Sequence, residues 1–456
     1  MKKIAILCLA VMILAGITEA KINLPQPTEI KLANGLTVMV IERHTLPLFS
    51  IQMTFRGGSI YDPMGREGLA GFCSQMLMRG TKTRTAKQIA EGIAFDGGDL
   101  NSFCSQEMAG FRGEFLSDKG DKGLAILSDM LLHSAFSADE VEKTRERISA
   151  ELASRFDDPS QVADEKIYGA VFGSSRYAHL VDGTVGALKA TTRDDLVSFF
   201  RKYYAPDNCL LVISGDVDAK TAKSWAETYF GKWTGKGEVK SLTETFPNPS
   251  GNEILLYDKK DATQTQIRFG GLGMSIADPG YVPFEAVRTI FGGSFTSRLN
   301  DEIRVKRGLS YGASCRSSRF GPAGIVYITT FSKNATVGQV VDLILSETRK
   351  IQTEAAADSE FTGGINYRSG LYPTQFETND AIAGTYSSIW FYKLDKSIYE
   401  DFQEKLRAIK PDQGKAAAAK YLPGDNYRLV LVGKADEIKP QVEKYGKVTV
   451  LPLSTD

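Results

Sequence analysis

The sequence predicts an α+β protein of two tandem homologous domains, each a mainly antiparallel sheet flanked by helices. Three observations support this fold class. Segments with strand-like alternation are interleaved with amphipathic helical segments, without regular β–α–β units. A chain of 456 residues is too long for one ordinary core and suits two or three domains. A stretch in the middle of the chain also recurs near its end.

The recurring stretch has the same order of features in both places. YAPDNCLLVISGD over Tyr204–Asp216 resembles YLPGDNYRLVLVGK over Tyr421–Lys434, and Gly215 matches Gly433, 218 positions later. Each copy reads as a helix end, a proline turn and a buried strand. The segment from Asp358 to Arg368 echoes the helix that starts at Ser137 in the same way, since both follow an amphipathic helix. The chain is therefore interpreted as a tandem duplication.

The repeat and the composition divide the chain into four parts. A stretch rich in Gly, Ser, Thr, Lys and Pro separates the two copies and is typical of a linker. The predicted parts are a signal peptide over 1–20, a first domain over 21–234, a linker over 235–251 and a second domain over 252–456.

The elements of the first domain can be predicted in order. Strands are expected over 28–42 and 48–57, with Asn34-Gly35 marking a turn in the first stretch. Gly97-Gly98 is expected to end a helix, and Ser137 with Glu140 forms a capping-box pattern. The predicted helices cover 66–79, 86–96, 118–133 and 138–155, and strand-like alternation covers 99–116.

The first twenty residues read as a secretory signal peptide. Lys2 and Lys3 precede an apolar run from Ile4 to Gly16, and small residues lead to a cleavage site after Ala20. The alternative is an uncleaved anchor, but the run is shorter than the roughly 20 residues of a membrane span. Since no other segment of the sequence has that length and hydropathy, the mature protein is expected to be periplasmic or secreted, without a membrane span.

Neither the overall charge nor the cysteine and histidine spacing supports nucleic-acid binding, membrane binding or a metal site. Lys plus Arg and Asp plus Glu number 55 each, so the overall charge gives no argument for nucleic acid or an anionic membrane. The cysteines outside the signal peptide form no C-x-x-C pair, and no two histidines have metal-binding helical spacing. Free buried thiols are favoured, with a Cys73–Cys104 disulfide as the alternative. These residues are Cys73, Cys104, Cys209, Cys315, His44, His133 and His179.

Four sequence motifs carry a resemblance to a known family. They are GLAGFCSQMLMRGT over 68–81, GGDLNSFCSQE over 97–107, ISAELASRFDDP over 148–159 and LNDEIRVKRGLSYG over 299–312. Together they resemble the pitrilysin/insulinase family of zinc peptidases, which includes the mitochondrial processing peptidase. The resemblance covers essentially all of the chain after the signal peptide. It implies two tandem domains of the LuxS/mitochondrial-processing-peptidase-like metallohydrolase fold.

The resemblance also shows which zinc-binding residues the chain lacks. The family motif H-x-x-E-H would place histidines at 71 and 75 and its glutamate at 74. This chain has Gly71, Ser74 and Gln75 there, which offer no imidazole ligand and no carboxylate base. Glu151, 76 positions after Gln75, matches the third family ligand. Without the others, a solvated helix carboxylate is the favoured interpretation, and no metal is expected on this chain.

The second domain keeps a different family feature. The resemblance implies that Arg304 and Tyr311, seven residues apart, hold the substrate backbone through their hydrogen-bond donors. The alternatives are a surface ion pair for Arg304 and packing in a strand for Tyr311. Lys306 and Arg307 are expected to be solvated.

Other residues that attract notice have simpler interpretations. Gly270, Gly271 and Gly273 in FGGLGMS form no phosphate loop, because no Rossmann-like unit surrounds them. Turn glycines are the default, with substrate contact as the alternative, and Gly292-Gly293 are expected to permit close packing. Cys73 and Ser74 could suggest a nucleophile, but no histidine lies near them in sequence, so packed helix residues are favoured.

Three hypotheses about function follow. The first is a non-catalytic subunit that binds peptides or unfolded segments through Arg304 and Tyr311, paired with a homologous chain that carries H-x-x-E-H and the zinc. The second is a homodimeric peptide-binding or structural protein without peptidase activity, as the core subunits of the cytochrome bc complex illustrate for the family. The third, an autonomous hydrolase, is disfavoured because the sequence shows no complete set of catalytic groups.

Overall fold

The computed structural model describes residues 21–238, 244–246 and 251–453. The predicted signal peptide and part of the predicted linker lie outside these ranges. The strands are β1 Thr28–Lys31, β2 Thr37–Glu42, β3 Leu48–Arg56, β4 Asp99–Cys104, β5 Met108–Leu116, β6 Cys209–Gly215, β7 Glu253–Asp258, β8 Gln264–Gly273, β9 Ala313–Arg319, β10 Gly324–Lys333, β11 Arg428–Gly433 and β12 Val448–Pro452.

Helices are interleaved with these strands. They are α1 Leu69–Met76, α2 Ala86–Phe95, α3 Gly120–Leu132, α4 Ala138–Ser154, α5 Pro159–Phe172, α6 Val185–Ala190, α7 Arg193–Tyr203, α8 Ala219–Phe230, α9 Tyr281–Arg288, α10 Arg298–Asn300, α11 Val337–Thr353, α12 Asp358–Leu371, α13 Asn379–Tyr392, α14 Ser397–Glu400, α15 Phe402–Ala408, α16 Pro411–Tyr421 and α17 Ala435–Val442. The helices α9 and α10 continue as π-helical turns over Thr289–Gly293 and Asp301–Val305. No helix in the described ranges has the length and apolar character to cross a membrane.

The strands form two six-stranded sheets, which confirms the predicted mixed α+β class. The first has the order β1-β2-β6-β3-β5-β4 and the second β12-β7-β11-β8-β10-β9. Apart from the outer strands β1 and β12, the two orders match position by position. In each sheet the strand of the recurring sequence, β6 or β11, runs parallel to one neighbour and antiparallel to the other. The sequence repeat is therefore a structural repeat.

Each half of the chain contributes a helix to the other half's sheet. The helix α5 packs on β8 and β11, while α13 packs on β3 and β6. Apolar side chains of α5, Ile167 and Phe172 among them, are buried with Tyr327 and Val430 of the second sheet. Without the other half, one face of each sheet would therefore lose the helix that covers it.

A buried arginine anchors the first of these crossings. The Arg268 side chain, on β8, is 1% exposed and donates from Nε to Asp164 Oδ1 at 2.5 Å. Its Nη2 also donates to the Ser160 carbonyl and hydroxyl oxygens, at 3.0 and 2.8 Å. A buried guanidinium is tolerated only when its charge and donors are satisfied, as they are here by α5.

A buried carboxylate joins the halves at a second point. Glu107 lies just before β5 and accepts hydrogen bonds from the hydroxyls of Tyr177 and Tyr392 and from the Gly321 backbone N–H. Tyr392 and Gly321 belong to the second half. Burial, followed by the Glu107 charge, raises the pKa of both tyrosines well above the usual range. These hydroxyls therefore remain donors.

The described part of the predicted linker packs against the first half. Phe246 lies beside the rings of Phe172 and Tyr177, with centroids 5.7 and 5.8 Å apart. Glu244 accepts from the Ser175 hydroxyl at 3.0 Å. These contacts hold residues 244–246 against the first half.

Local expectations about helix ends have mixed outcomes. The stop after α2 is confirmed, since Gly97 has φ +68° and the Gly97 and Gly98 N–H groups close the last turn on Ala94 and Ile93. The capping box at Ser137 is wrong. The helix begins at Ala138 as expected, but the Ser137 side chain makes no capping hydrogen bond.

The turn interpretation of Gly270, Gly271 and Gly273 is also wrong. All three lie in β8, between β11 and β10. A Cβ at Gly270 would lie 2.6 Å from the Tyr327 Cβ of the neighbouring strand. Glycine there permits close approach of a bulky neighbour rather than a turn, a role that a local sequence pattern does not distinguish.

Glu107→Gln is expected to lower the free energy of unfolding by about 2–4 kcal/mol, because charge-assisted hydrogen bonds contribute about 1.5–3 kcal/mol each. Urea unfolding measures the change. The matched control is Glu91→Gln on α2, whose carboxylate is exposed and 3.6 Å from Lys87, and which should change stability by less than about 0.5 kcal/mol. Equal effects of the two substitutions would contradict the bridging role.

Candidate functional site

The helix α1 carries three of the four positions where the family binds and activates zinc. It begins after Gly68, whose φ is +97°, and is therefore shorter than the predicted 66–79. Asp62 accepts from the N–H groups of Gly68 and Ala70, at 2.7 and 2.8 Å, and so orients the first turn. Burial raises the pKa of Asp62 to about 8. The start of the helix is therefore determined by a carboxylate outside it.

The position of the first family ligand is closed by backbone. A Cβ at Gly71 would lie 2.7 Å from the Val181 carbonyl oxygen. The chain approaches as closely at Gly183, where a Cβ would lie 1.8 Å from the Glu67 carbonyl oxygen. Segments 67–71 and 181–183 are thus in direct backbone contact. A histidine side chain at position 71 would require the second segment to move.

Cys73 and Ser74 are packed residues, as the sequence favoured. Ser74 donates its hydroxyl to the Phe103 carbonyl oxygen at 3.0 Å, which ties α1 to β4. Cys73 is fully buried, and burial raises the pKa of its thiol well above the usual range. Cys73 and Cys104 are both free thiols in the structure. Neither Cys73 nor Ser74 has an activating base, so neither is arranged as a nucleophile.

An arginine lies between the other two ligand positions. Arg147 of α4 donates to Gln75 Oε1, and its Nη1 donates to Glu151 Oε1 at 2.6 Å. The guanidinium therefore joins the residues that correspond to the second histidine and the glutamate. The Glu151 side chain is 55% exposed. Glu151 is thus a solvated helix carboxylate, as favoured, but one with an ion pair.

These residues do not fit a zinc ion. Gly71 supplies no donor atom, Gln75 supplies a neutral amide that is already bonded, and Arg147 places a positive charge beside Glu151. In residues 21–238, 244–246 and 251–453, no three His, Cys, Asp or Glu side chains converge as a metal site. His44 and His133 each contact an aspartate, and the His179 ring contacts a backbone oxygen.

The last part of the first motif has a structural role. Thr81 and Thr83 donate their hydroxyls to Asp129 on α3, at distances between 2.7 and 3.0 Å. Arg84 and His133 contact the same carboxylate at 2.7 and 2.9 Å. This cluster connects the loop after α1 to α3. The Gly-Thr pair at the end of the motif therefore has a structural role rather than a catalytic one.

Arg304 and Tyr311 of the second half line one pocket. Arg304 lies on the π-helical turn after α10, and Tyr311 lies just before β9. The pocket has a volume of about 370 Å³. Its lining residues come from α5, β8, β9, β10 and the turn around Arg304, and they are Ser160, Gln266, Phe295, Asn300, Arg304, Tyr311, Gly312, Ala313, Ser314, Arg316, Thr329, Thr330 and Phe331.

The two alternative interpretations of this pair do not match the geometry. Within the described ranges no carboxylate contacts Arg304, and its guanidinium lies 4.3 Å from the centre of the Phe295 ring. Tyr311 is 82% exposed rather than packed in a strand. By contrast, Lys306 and Arg307 are exposed but paired with Glu302, and Lys306 with Asp301 as well. Arg304 therefore differs from its basic neighbours.

Three contributors to these sites were not singled out from the sequence. Arg147 is four residues before Glu151, a helical spacing that could have indicated the ion pair. Phe295 and Asp62 carry no comparable signal, because their partners are reached only through folding.

Family comparison identifies the class. Residues 37–184 match the model described as "Insulinase (Peptidase family M16)", and residues 190–366 match "Peptidase M16 inactive domain". A protein named uncharacterized zinc protease from Rickettsia bellii is 33% identical over 76% of this chain and 83% of its own length. One from Rickettsia felis is 30% identical over 90% of this chain and 92% of its own length. The chain belongs to the insulinase family of peptidases, M16, and lacks its catalytic motif.

Solved structures show the same fold. A structure described as the peptidase M16 inactive domain from Pseudomonas fluorescens has a TM-score of 0.84 and 24% identity, over 90% of this chain and 98% of its own length. A protease from Helicobacter pylori has a TM-score of 0.82 and 18% identity, over 90% of this chain and 100% of its own length. The expected two-domain fold of the family is confirmed.

Gly71→Ala is expected to lower the free energy of unfolding by about 1–3 kcal/mol, because the new Cβ overlaps the Val181 carbonyl. The control is Gly169→Ala in α5, where a Cβ would meet nothing within 4 Å. That helix-interior change should raise stability by up to about 1 kcal/mol. Denaturant unfolding measures both, and a neutral Gly71→Ala would show that segment 181–183 does not close the position.

Glu151→Gln is expected to change the free energy of unfolding by less than about 1 kcal/mol, since its ion pair is exposed. It should also leave the zinc content of the purified chain unchanged, as measured by elemental analysis. Glu142→Gln, on the same helix and similarly exposed, is the matched control. Loss of bound zinc in the Glu151 variant alone would contradict the assignment of Glu151 as a surface carboxylate.

Proposed function

We propose that this chain is the non-catalytic, substrate-binding subunit of a heterodimeric zinc metallopeptidase that acts on peptides or unfolded segments. The partner is a homologous chain with the H-x-x-E-H motif, which supplies the zinc. The observation that carries the proposal is an asymmetry between the two halves. The first-half site is closed at Gly71 and bridged by Arg147, whereas Arg304 and Tyr311 line an accessible pocket.

The chemistry of this pocket suits binding and orientation of a peptide. A guanidinium and a phenol are hydrogen-bond donors for a peptide carbonyl or for the charge that develops on it. Neither group can activate water as a base at neutral pH. The chain's share of catalysis is therefore the positioning of substrate against the partner's metal site, which reduces the entropic cost of reaction.

The surroundings of the pocket support contact with another chain. Phe295, Val305 and Tyr311 are apolar or aromatic residues that are 66%, 67% and 82% exposed. Exposed aromatic groups beside an arginine are typical of protein interfaces. The proposed complex is exported, in agreement with the predicted signal peptide.

The relatives supply the chemistry that the partner would add. Those found in Rickettsia bellii and Rickettsia felis are named zinc proteases. In the proposed complex a chain of that kind provides the metal-bound water, and this chain provides the donors of Arg304 and Tyr311.

Co-expression with a homologous H-x-x-E-H chain, such as one encoded beside it, tests the proposal. We expect a stable complex that cleaves peptides, and Arg304→Ala should lower kcat/KM by about a hundredfold, as loss of one transition-state donor does elsewhere. Arg307→Ala, which removes an exposed arginine paired with Glu302, is the matched control and should leave kcat/KM unchanged.

Size measurement of the purified chain, with and without the candidate partner, separates the proposal from its main alternative. A homodimer that does not bind the partner, with no peptidase activity in any combination, would replace the proposed subunit with a peptide-binding or structural protein. Turnover by the isolated chain with stoichiometric zinc would contradict both.

A further inference from the structure

The pocket of Arg304 and Tyr311 has an excess of positive charge. None of its lining residues is acidic. Arg304 has no carboxylate partner in the described ranges, and Arg316, the other lining arginine, lies 3.6 Å from Asp164. Asp164 is shared, because the buried Arg268 contacts it at 2.5 Å. Since Asp164 already pairs with Arg268, the two lining arginines, Arg304 and Arg316, have no carboxylate of their own among the described residues.

Nearby acidic residues do not correct this balance. Asp301 and Glu302 precede Arg304 in the chain, but both contact Lys306, and Glu302 also contacts Arg307. These two carboxylates are therefore already paired with exposed lysine and arginine side chains. The buried Arg268 beside the pocket adds no net charge to it, because Asp164 pairs with its guanidinium.

The donors of the pocket make no hydrogen bond to another described residue. The Phe295 ring contacts the Arg304 guanidinium without taking up its N–H groups, which stay available in the plane of the fork. The Tyr311 ring lies 6.3 Å from Phe331, and its hydroxyl has no partner in the described ranges. An arginine fork and a phenol hydroxyl that line the same pocket are both donors from which a carboxylate can accept hydrogen bonds.

We infer that this pocket binds a carboxylate of the peptide ligand. The inference rests on the proposed function and names the substrate class more narrowly. A neutral backbone carbonyl needs a donor but leaves the excess charge uncompensated, whereas a carboxylate satisfies both. The carboxylate is either the free C-terminus of a peptide or an Asp or Glu side chain within it.

Calorimetric titration of the purified full chain with three N-acetylated peptides tests the inference. One has a free C-terminus and no acidic residue, the second is its C-terminal amide, and the third is that amide with one Glu introduced. We expect at least one carboxylate-bearing peptide to bind about tenfold tighter than the plain amide, a difference of about 1.4 kcal/mol. Tighter binding of the first peptide identifies the C-terminal carboxylate as the bound group. Tighter binding of the third identifies a side-chain carboxylate.

Variants connect the preference to the pocket. Arg304→Ala should abolish the difference between the peptides and Arg316→Gln should reduce it, while Arg304→Lys should retain part of it. Arg307→Ala should bind as the parent does. Thermal melting of each variant identifies any loss of fold, and the retained preference in Arg304→Lys distinguishes lost charge from lost structure.

The contrary outcomes are distinct. Equal affinity for all three peptides, weakened alike by Arg304→Ala, would overturn the carboxylate preference and leave the proposed peptide-binding role intact. A preference that survives Arg304→Ala would overturn the assignment to this pocket. No binding of any peptide would overturn the inference and the proposed function together.

Discussion

The exchange of helices between the two halves is the constraint on which the other features depend. Each sheet has one face that is covered by a helix of the opposite half, α5 in one direction and α13 in the other. Burial of apolar surface drives this packing, but it is not directional. The relative orientation of the halves is fixed by polar contacts. Arg268 pairs with Asp164, and Glu107 accepts hydrogen bonds from Tyr392 and Gly321. The same anchors place the pocket of the second half next to α5 of the first.

The degenerate site shows how a metal-binding scaffold can stay packed without its ligands. A metal ion would join α1 to α4, and here Arg147 of α4 makes that connection by donating to Gln75 of α1, while it also pairs with Glu151 on its own helix. The space of the first ligand is taken by the backbone at Val181. Both features compensate for lost ligands with ordinary packing and hydrogen bonds. They also make the loss hard to reverse, since restoring side chains alone would meet occupied space and a fixed positive charge.

The two halves therefore differ in how the polar groups at their candidate sites are paired. In the first half the polar groups near the former site are satisfied by one another, as Ser74, Gln75 and Glu151 are. In the second half, no side chain or backbone group among the described residues accepts a hydrogen bond from Arg304 or Tyr311, and both side chains are accessible to solvent. The two halves therefore share one framework but differ in how the polar groups at these positions are paired.

The sequence by itself determined the repeat and the fold class, because both follow from residue type and spacing along the chain. The missing zinc ligands and the Arg304/Tyr311 pair were predicted from the family resemblance of its motifs. Tertiary structure decided what those residues contact. It placed Gly270 in a central strand rather than a turn, left the Ser137 side chain without a capping hydrogen bond and closed the space beside Gly71. Among the described residues it left Arg304 without a carboxylate contact. The partners of these residues lie tens to hundreds of positions away or on another element. Local periodicity and propensity describe a residue's own segment, whereas close approach and charge balance depend on which segments folding brings together.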